Sequence, residues 1–309
     1  MTKRTRRAPA VRSPGRANDG TDVALDTVKT ADGQGEAQPT RRSVDTKNLD
    51  VRLARGEAEL LAAQRLRYRV FYDEMGATPS AAAAAEKRDF DDFDPICDHL
   101  LVVDHSVVDR SGGGEAPAVV GTYRLLRESV AKANRGFYSA SEFDLSLLDR
   151  NRRPDDNFLE LGRSCVAPEY RTNAVIQSLW RAIAGYIVEH NISLMFGCGS
   201  LHGVDPEALA VPLSYLYHHH LAPPERRVRA LDSRYVAMDR LPKEAINPRE
   251  ALRTLPPLIK GYLRLGGFVG DGAVIDAEFK TVDCFIMVPC DTLTERYIAR
   301  YQSRGGDAE

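Results

Sequence analysis

The stretch Asn157-Phe-Leu-Glu-Leu-Gly-Arg-Ser-Cys-Val-Ala-Pro-Glu-Tyr-Arg171 restricts the possible folds of this 309-residue chain more than any other. Phe158, Glu160, Gly162 and Ser164 alternate with Leu159, Leu161, Arg163 and Cys165, the period of a half-buried strand. Pro168 ends the strand, because proline lacks the N–H that a central ladder needs. Thr172 or Asn173 can then cap a helix through Ile187, with Ile176, Leu179, Trp180, Ile183 and Ile187 at helical spacing. Charges in such a strand are costly to bury unless they are paired or used. Glu160 and Arg163 are therefore either a structural ion pair or a working acid and base beside a helix N-terminus.

A chain of this length can form one large domain or two small ones. Apolar residues make up 43% of it, enough for a substantial core, and the net charge of −2 gives no general attraction to nucleic acid or anionic membranes. Five cysteines (97, 165, 198, 284, 290) lie in apolar, strand-like contexts without metal-ligand spacing. Their odd number argues against a disulfide framework and fits a reducing, cytoplasmic setting. No apolar run is long enough to span a membrane. Residues 1–48 carry a basic start and almost no large apolar side chain, so a disordered basic tail is expected there. A globular region over 49–295 and a short C-terminal tail, 296–309, complete the expected organisation.

Order is expected to begin with a strand at Leu49. A helix follows from Glu57 to Met75, stopped by Gly76, with Arg67 and Phe71 on it. Ser80–Ala85 reads as a small-residue linker, and Glu86–Asp94 as an acidic turn carrying Asp91 and Asp94. His99–Asp104 and Ala118–Leu126 read as a strand and its return strand, the second with Arg124 inside an apolar run, where a guanidinium needs a carboxylate partner. Residues 128–156 read as a surface excursion. Ile192–Gly199 and Val282–Val288 are further strands, and Pro206–His220 and the region near Leu252–Leu265 are helical. The His218–His220 triplet reads as exposed polar surface, since consecutive helical residues point in different directions. The fold class is α/β, a mixed sheet flanked by helices.

Several of these stretches coincide with one family. Arg67-Tyr-Arg-Val-Phe71, Asp91-Asp-Phe-Asp94, Gly121-Thr-Tyr-Arg124 and Glu160-Leu-Gly-Arg163 resemble the motif series of acyl-homoserine lactone synthases, within the GNAT acyltransferase superfamily. Asp98-His-Leu-Leu-Val, Glu160-Leu-Gly-Arg-Ser-Cys-Val and Leu255-Pro-Pro-Leu-Ile-Lys-Gly-Tyr-Leu-Arg-Leu-Gly-Gly267 resemble more closely the L-ornithine Nα-acyltransferases of bacterial ornithine-lipid synthesis. The likeness covers roughly residues 50–290. It implies a GNAT-like fold with a C-terminal extension and N-acylation of ornithine from a 3-hydroxyacyl carrier protein, giving lyso-ornithine lipid. No bound cofactor or metal is implied, the acyl group arriving on the carrier's phosphopantetheine.

Two departures narrow the expectation. Arg171-Thr-Asn-Ala-Val-Ile lacks the glycines that cradle the pyrophosphate of coenzyme A in GNAT enzymes, which suits a carrier protein as donor. The tryptophan of the lactone synthases is missing from the Gly76 region. The implied roles are Glu160 and Arg163 in catalysis, with Arg67, Phe71, Asp91, Asp94 and Arg124 around the substrate. Cys165, Val166 and Arg171 fall on the donor side, Cys165 as a packing residue with backbone N–H groups nearby to polarise the thioester. The pantetheine arm would lie between splayed strands at about 159–166 and 192–198. A lactone synthase-like or other amino-acid N-acyltransferase is the alternative enzyme. A non-catalytic module recruiting carrier protein or membrane through 1–16 and 252–268 is the alternative of another class. The expected location is the cytoplasm, with peripheral contact at the inner face of the plasma membrane as its variant.

Overall fold

The computed structural model describes residues 45–291. Most of the expected N-terminal tail, and the expected tail at 296–309, lie outside them; Thr46–Asn48 forms one 3-10 turn capped by the Asp45 side chain. The elements run β1 Leu49–Leu53, α1 Glu57–Tyr68, α2 Ala81–Glu86, β2 Asp98–Asp109, β3 Ala116–Arg127, α3 Glu128–Ala133, β4 Phe143–Asp144, α4 Ser146–Arg150 and β5 Phe158–Val166. They continue with α5 Asn173–Glu189, β6 Leu194–His202, α6 Ala210–His220, β7 Arg229–Ala230, α7 Pro248–Thr254, α8 Pro257–Arg264, β8 Phe268–Asp276 and β9 Thr281–Pro289. Among the described residues, no helix is long and apolar enough to cross a membrane.

The strands form one mixed sheet in the order β1-β2-β3-β5-β6-β9-β8-β7-β4. Among the described strands, only β5/β6 and β7/β8 are parallel. On one face α5 buries Val175, Leu179, Ile183 and Ile187 against Leu100, Val102, Leu159 and Leu161. Each such side chain stabilises the fold by about 1.5–3 kcal/mol. Val175 takes the inward place expected for Ile176, which is exposed. Thr172 caps this helix by accepting from the Val175 N–H. The opposite face has two clusters. Leu66 and Val70 of the first helical segment pack on Leu101, Val103 and Cys165. Phe143, Phe158, Phe196 and Phe285 fill the other end.

Several local expectations change. The helix from Glu57 is α only to Tyr68 and continues as a π-helical stretch over Arg69–Glu74, an insertion often found at functional sites. The expected linker at Ser80–Ala85 is helical, because Ser80 caps α2 through the Ala83 N–H and alanine has high helix propensity. Near Leu252–Leu265 there are two helices, separated at Leu255-Pro256. His218 and His220 are not free surface: His218 meets Asp239 and the Leu241 carbonyl, and His220 meets the Tyr215 hydroxyl. β5 is buried on both faces over Phe158–Glu160 rather than on one, since it sits in the middle of the sheet.

Candidate active site

Strand β5 carries the site because of an irregularity in it. Gly162 pairs with Arg124 and Cys165 with Thr122, leaving Arg163 and Ser164 opposite the single residue Tyr123. Arg163 has φ 49°, the left-handed region. In a regular strand Glu160 and Arg163, three apart, would face opposite sides. The bulge shifts the phase and puts both against the same turn, Tyr138–Ser141. They do not pair with each other, so the simple ion-pair reading of the two does not hold.

The Glu160 carboxylate is 4% exposed. Its Oε2 accepts from the Tyr138 N–H (2.7 Å), and its Oε1 from the Ser139 N–H (2.7 Å) and the Ser139 hydroxyl. Burial pushes its pKa up, and these hydrogen bonds to the charged form offset only part of that rise. Residues 128–156, expected as a surface excursion, therefore supply the donors that seat this carboxylate.

Arg163 lies in a buried, charge-matched lattice of three arginines and three aspartates. Arg67 reaches Asp89 (2.7 Å) and forks onto Asp94 (2.6 and 2.9 Å). Arg124 meets Asp91 (2.6 Å) and Asp94 (3.1 Å), and Arg163 meets Asp89 (3.3 Å) and Asp91 (3.1 Å). Burial would raise the Asp94 pKa, but the Arg67 fork and Arg124 hold it well below the carboxylate range. Asp91 is held down likewise by Arg124 and Arg163 against its own burial. Rings complete the enclosure: the Arg163 guanidinium lies between Tyr138 (5.0 Å) and Phe279 (4.8 Å), and Phe71 meets Phe279 edge-on. Arg67, Phe71, Asp91, Asp94, Arg124 and Arg163 are thus brought together, with their charges already paired.

Beyond Ser139 a second acidic group faces Glu160. The Cys198 Sγ lies 3.7 Å from the Ser139 hydroxyl and 3.6 Å from Glu142 Oε2. One ligand atom each from Glu142, Cys198 and Asp283 fall within 4.8 Å of one another, a set that could hold a cation. Glu142 also meets Arg234 at 3.1 Å. Burial, and then the neighbouring Asp283, push its pKa up to about 7. Burial raises Asp283 as well. Sequence reasoning misses Glu142, Asp283, Ser139 and Cys198 as site residues. Asp283 gave the same signal as Glu160, an acid inside an apolar strand, whereas nothing local marked Ser139 or Cys198.

The splayed strands expected on the donor side are β5 and β6. Their pairing ends at Glu160 and Phe196, so beyond that pair β5 bonds only β3 and β6 only β9. Tyr262 of α8, with Leu161, Ile286 and Val288, lines the gap. Cys165 is buried against α1, and burial pushes its thiol pKa up to about 12, which fits packing and not nucleophilic attack. Arg171 forks onto Glu74 (2.6 and 2.7 Å) and donates to the Val166 carbonyl (3.0 Å).

Comparison with known proteins gives the family. The acetyltransferase (GNAT) domain family matches residues 66–181. An L-ornithine N(alpha)-acyltransferase of Agrobacterium fabrum is 51% identical over 84% of the chain and 86% of its own length. One of Rhizobium meliloti is 50% identical over the same shares. Among solved structures, FeeM, an N-acyl amino acid synthase from uncultured soil microbes, is similar over 81% of this chain and 92% of its own, at 11% identity and a TM-score of 0.43, too loose a likeness to bear on the site.

Proposed function

We propose, from the premise that the chain belongs to the L-ornithine N(alpha)-acyltransferase family, that it transfers a 3-hydroxyacyl chain from an acyl carrier protein to the α-amine of ornithine. It is an acyltransferase. One observation carries the assignment of the chemistry: a buried carboxylate with a raised pKa, Glu160, stands at the last paired position before β5 and β6 part. Glu160 takes a proton from the α-ammonium, directly or through a water. The freed amine attacks the thioester carbonyl, a C–N bond forms and the C–S bond breaks. The thiolate leaves and takes up a proton, so the products are an amide and a free thiol. Backbone N–H groups near Cys165 and Val166 would polarise the carbonyl.

The paired lattice bears on how ornithine is held. Arg124, whose charge acts on Glu160, or Arg163 would take the substrate carboxylate by exchanging one of its two aspartate contacts for it. Asp91 and Asp94 are each held by two arginines, so Glu142 and Asp283 are the better partners for the side-chain ammonium. Arg171 is locked onto Glu74, and its loop lacks glycines, which supports a carrier protein rather than coenzyme A as donor. A soluble carrier donor places the reaction in the cytoplasm, with the lipid product handed to the inner face of the membrane. The reaction needs neither metal nor bound cofactor from the protein. Incubation of purified protein with ornithine and a 3-hydroxyacyl carrier protein should release thiol and give a product acylated on the α-nitrogen by tandem mass spectrometry. Thiol release with another amine, and none with ornithine, would reassign the acceptor.

A further inference from the structure

Helices α7 and α8 present a row of cations that the fold leaves unmatched. Several surface arginines meet acids, as Arg52 meets Glu59, Arg110 Glu115, Arg152 Glu128 and Arg240 Glu207, and others, such as Arg69 and Arg181, do not; on α7 and α8 the unmatched cations fall in one row. Among the described residues, Arg249, Arg253, Lys260 and Arg264 have no such partner. Glu250 is the one acid on the two helices. The Lys260 ammonium donates to the Arg253 carbonyl (3.2 Å), which joins the two helices' cations into one strip. Burial and the neighbouring Arg264 both push the Lys260 pKa down, the mark of a cation without a counter-charge.

The strip sits on the element that covers the donor gap. Ile259 and Tyr262 point inward from α8, Tyr262 lining the gap between β5 and β6 and Ile259 packing beside Gly199. Lys260 and Arg264 point away from it. Trp180 of α5 meets the Tyr262 ring edge-on at 5.3 Å, so α5 and α8 lie side by side over the same face of the sheet. Glu160 and its acidic neighbours occupy the other face, with the aromatic cluster of Phe158 and Phe196.

We infer that the row Arg249, Arg253, Lys260 and Arg264 docks the acidic surface of the acyl carrier protein, so that its arm enters between β5 and β6 from the α8 side. This rests on the carrier-donor reading above. Charge complementarity names the occupant: a carrier of this kind is acidic, and unpaired cations over a catalytic cleft steer it and set its orientation. A membrane surface fits less well. Leu252 is the one large apolar side chain exposed on these helices, whereas insertion needs an apolar face beside the cations.

The test compares donors. Lys260→Glu with Arg264→Glu, and the milder Lys260→Gln with Arg264→Gln, are assayed with the same acyl group on carrier protein and on N-acetylcysteamine. The expected result is a tenfold or greater rise in KM for the carrier-bound donor in the charge-reversed protein, and a smaller rise in the glutamine protein. Change for the small thioester should stay under twofold. Equal changes for both donors, or none for the carrier, would overturn the docking site while leaving the reaction intact. Unchanged carrier KM with lost binding to phosphatidylglycerol vesicles would assign the strip to membrane instead. Wild-type turnover of a coenzyme A thioester but not of the carrier thioester would overturn the donor reading, and the docking site with it.

Discussion

The Glu160 carboxylate is placed by opposing effects that make its role separable from its contribution to folding. Its hydrogen bonds come from the Tyr138 and Ser139 N–H groups and the Ser139 hydroxyl; a glutamine oxygen in the Oε1 place still accepts both Ser139 bonds, and only the Tyr138 bond is lost. Glu160→Gln is therefore expected to lower kcat by about 10²–10⁴-fold, the usual worth of a positioned base. The melting temperature should move by only a few degrees. Turnover within a few-fold of wild type in a steady-state assay would remove Glu160 from the base role. Arg67 is the contrasting case. Its guanidinium is fully buried and satisfies Asp89 and Asp94 together. Arg67→Ala would leave Asp89 with Arg163 as its remaining arginine and Asp94 with Arg124 and Gln64, three buried contacts the poorer, and breaking a buried pair costs about 3–5 kcal/mol. A fall of that size in the urea midpoint stability is expected; a loss under 1 kcal/mol would show that the lattice relaxes around the gap.

At the scale of elements, the strands and α5 were legible because a burial pattern needs only local sequence. What the sequence concealed was phase. Period-two counting separates Glu160 from Arg163, and only the bulge opposite Tyr123 reunites them, through a φ of 49° that no side chain in the run announces. The seat of Glu160 was illegible for a different reason: its donors are backbone N–H groups in a loop some twenty residues away, and backbone carries no sequence signal. The parting of β5 and β6 is likewise tied to a close approach. A Cβ built on Gly197 would lie 2.2 Å from the Leu161 carbonyl oxygen. Gly197→Ala must then push the strands apart at the base of the donor gap. The expected outcome is a protein destabilised by roughly 1–3 kcal/mol, as for overpacked cores. Its KM for the acyl donor should also rise more than that for ornithine. An unchanged donor KM would separate this contact from donor binding.

For the molecule as a whole, two sets of buried carboxylates pull the pH dependence of stability in opposite directions. Both sets were only half visible in the sequence: Asp91 and Asp94 stood in a recognisable motif, whereas Glu142 and Asp283 meet only when β9 and the loop before β4 are brought together by the fold. Asp91 and Asp94 have depressed pKa values, so their contribution is present above the ordinary aspartate pKa of about 3.9 and is lost as pH falls through their lower folded values. Glu142 is the reverse. Its pKa rises from an ordinary value of about 4.3 to about 7 on folding, so the folded state binds this proton more tightly than the unfolded chain. That contribution is complete below about pH 4 and drains away as pH rises towards 7. The melting temperature of the free enzyme should accordingly peak near about pH 5 and decline by several degrees up to pH 7.5. Glu142→Gln, which cannot ionise, should flatten that decline. A cation seated beside Glu142 favours the ionised form, so saturating ornithine should flatten it too in the wild type and have less effect in the variant. Scanning calorimetry from pH 4.5 to 8.5, with and without ornithine, measures all four curves. Parallel declines in wild type and Glu142→Gln would place the raised carboxyl elsewhere, with Glu160 or Asp283. A flattening by ornithine that survives in Glu142→Gln would move the ammonium site away from this pair.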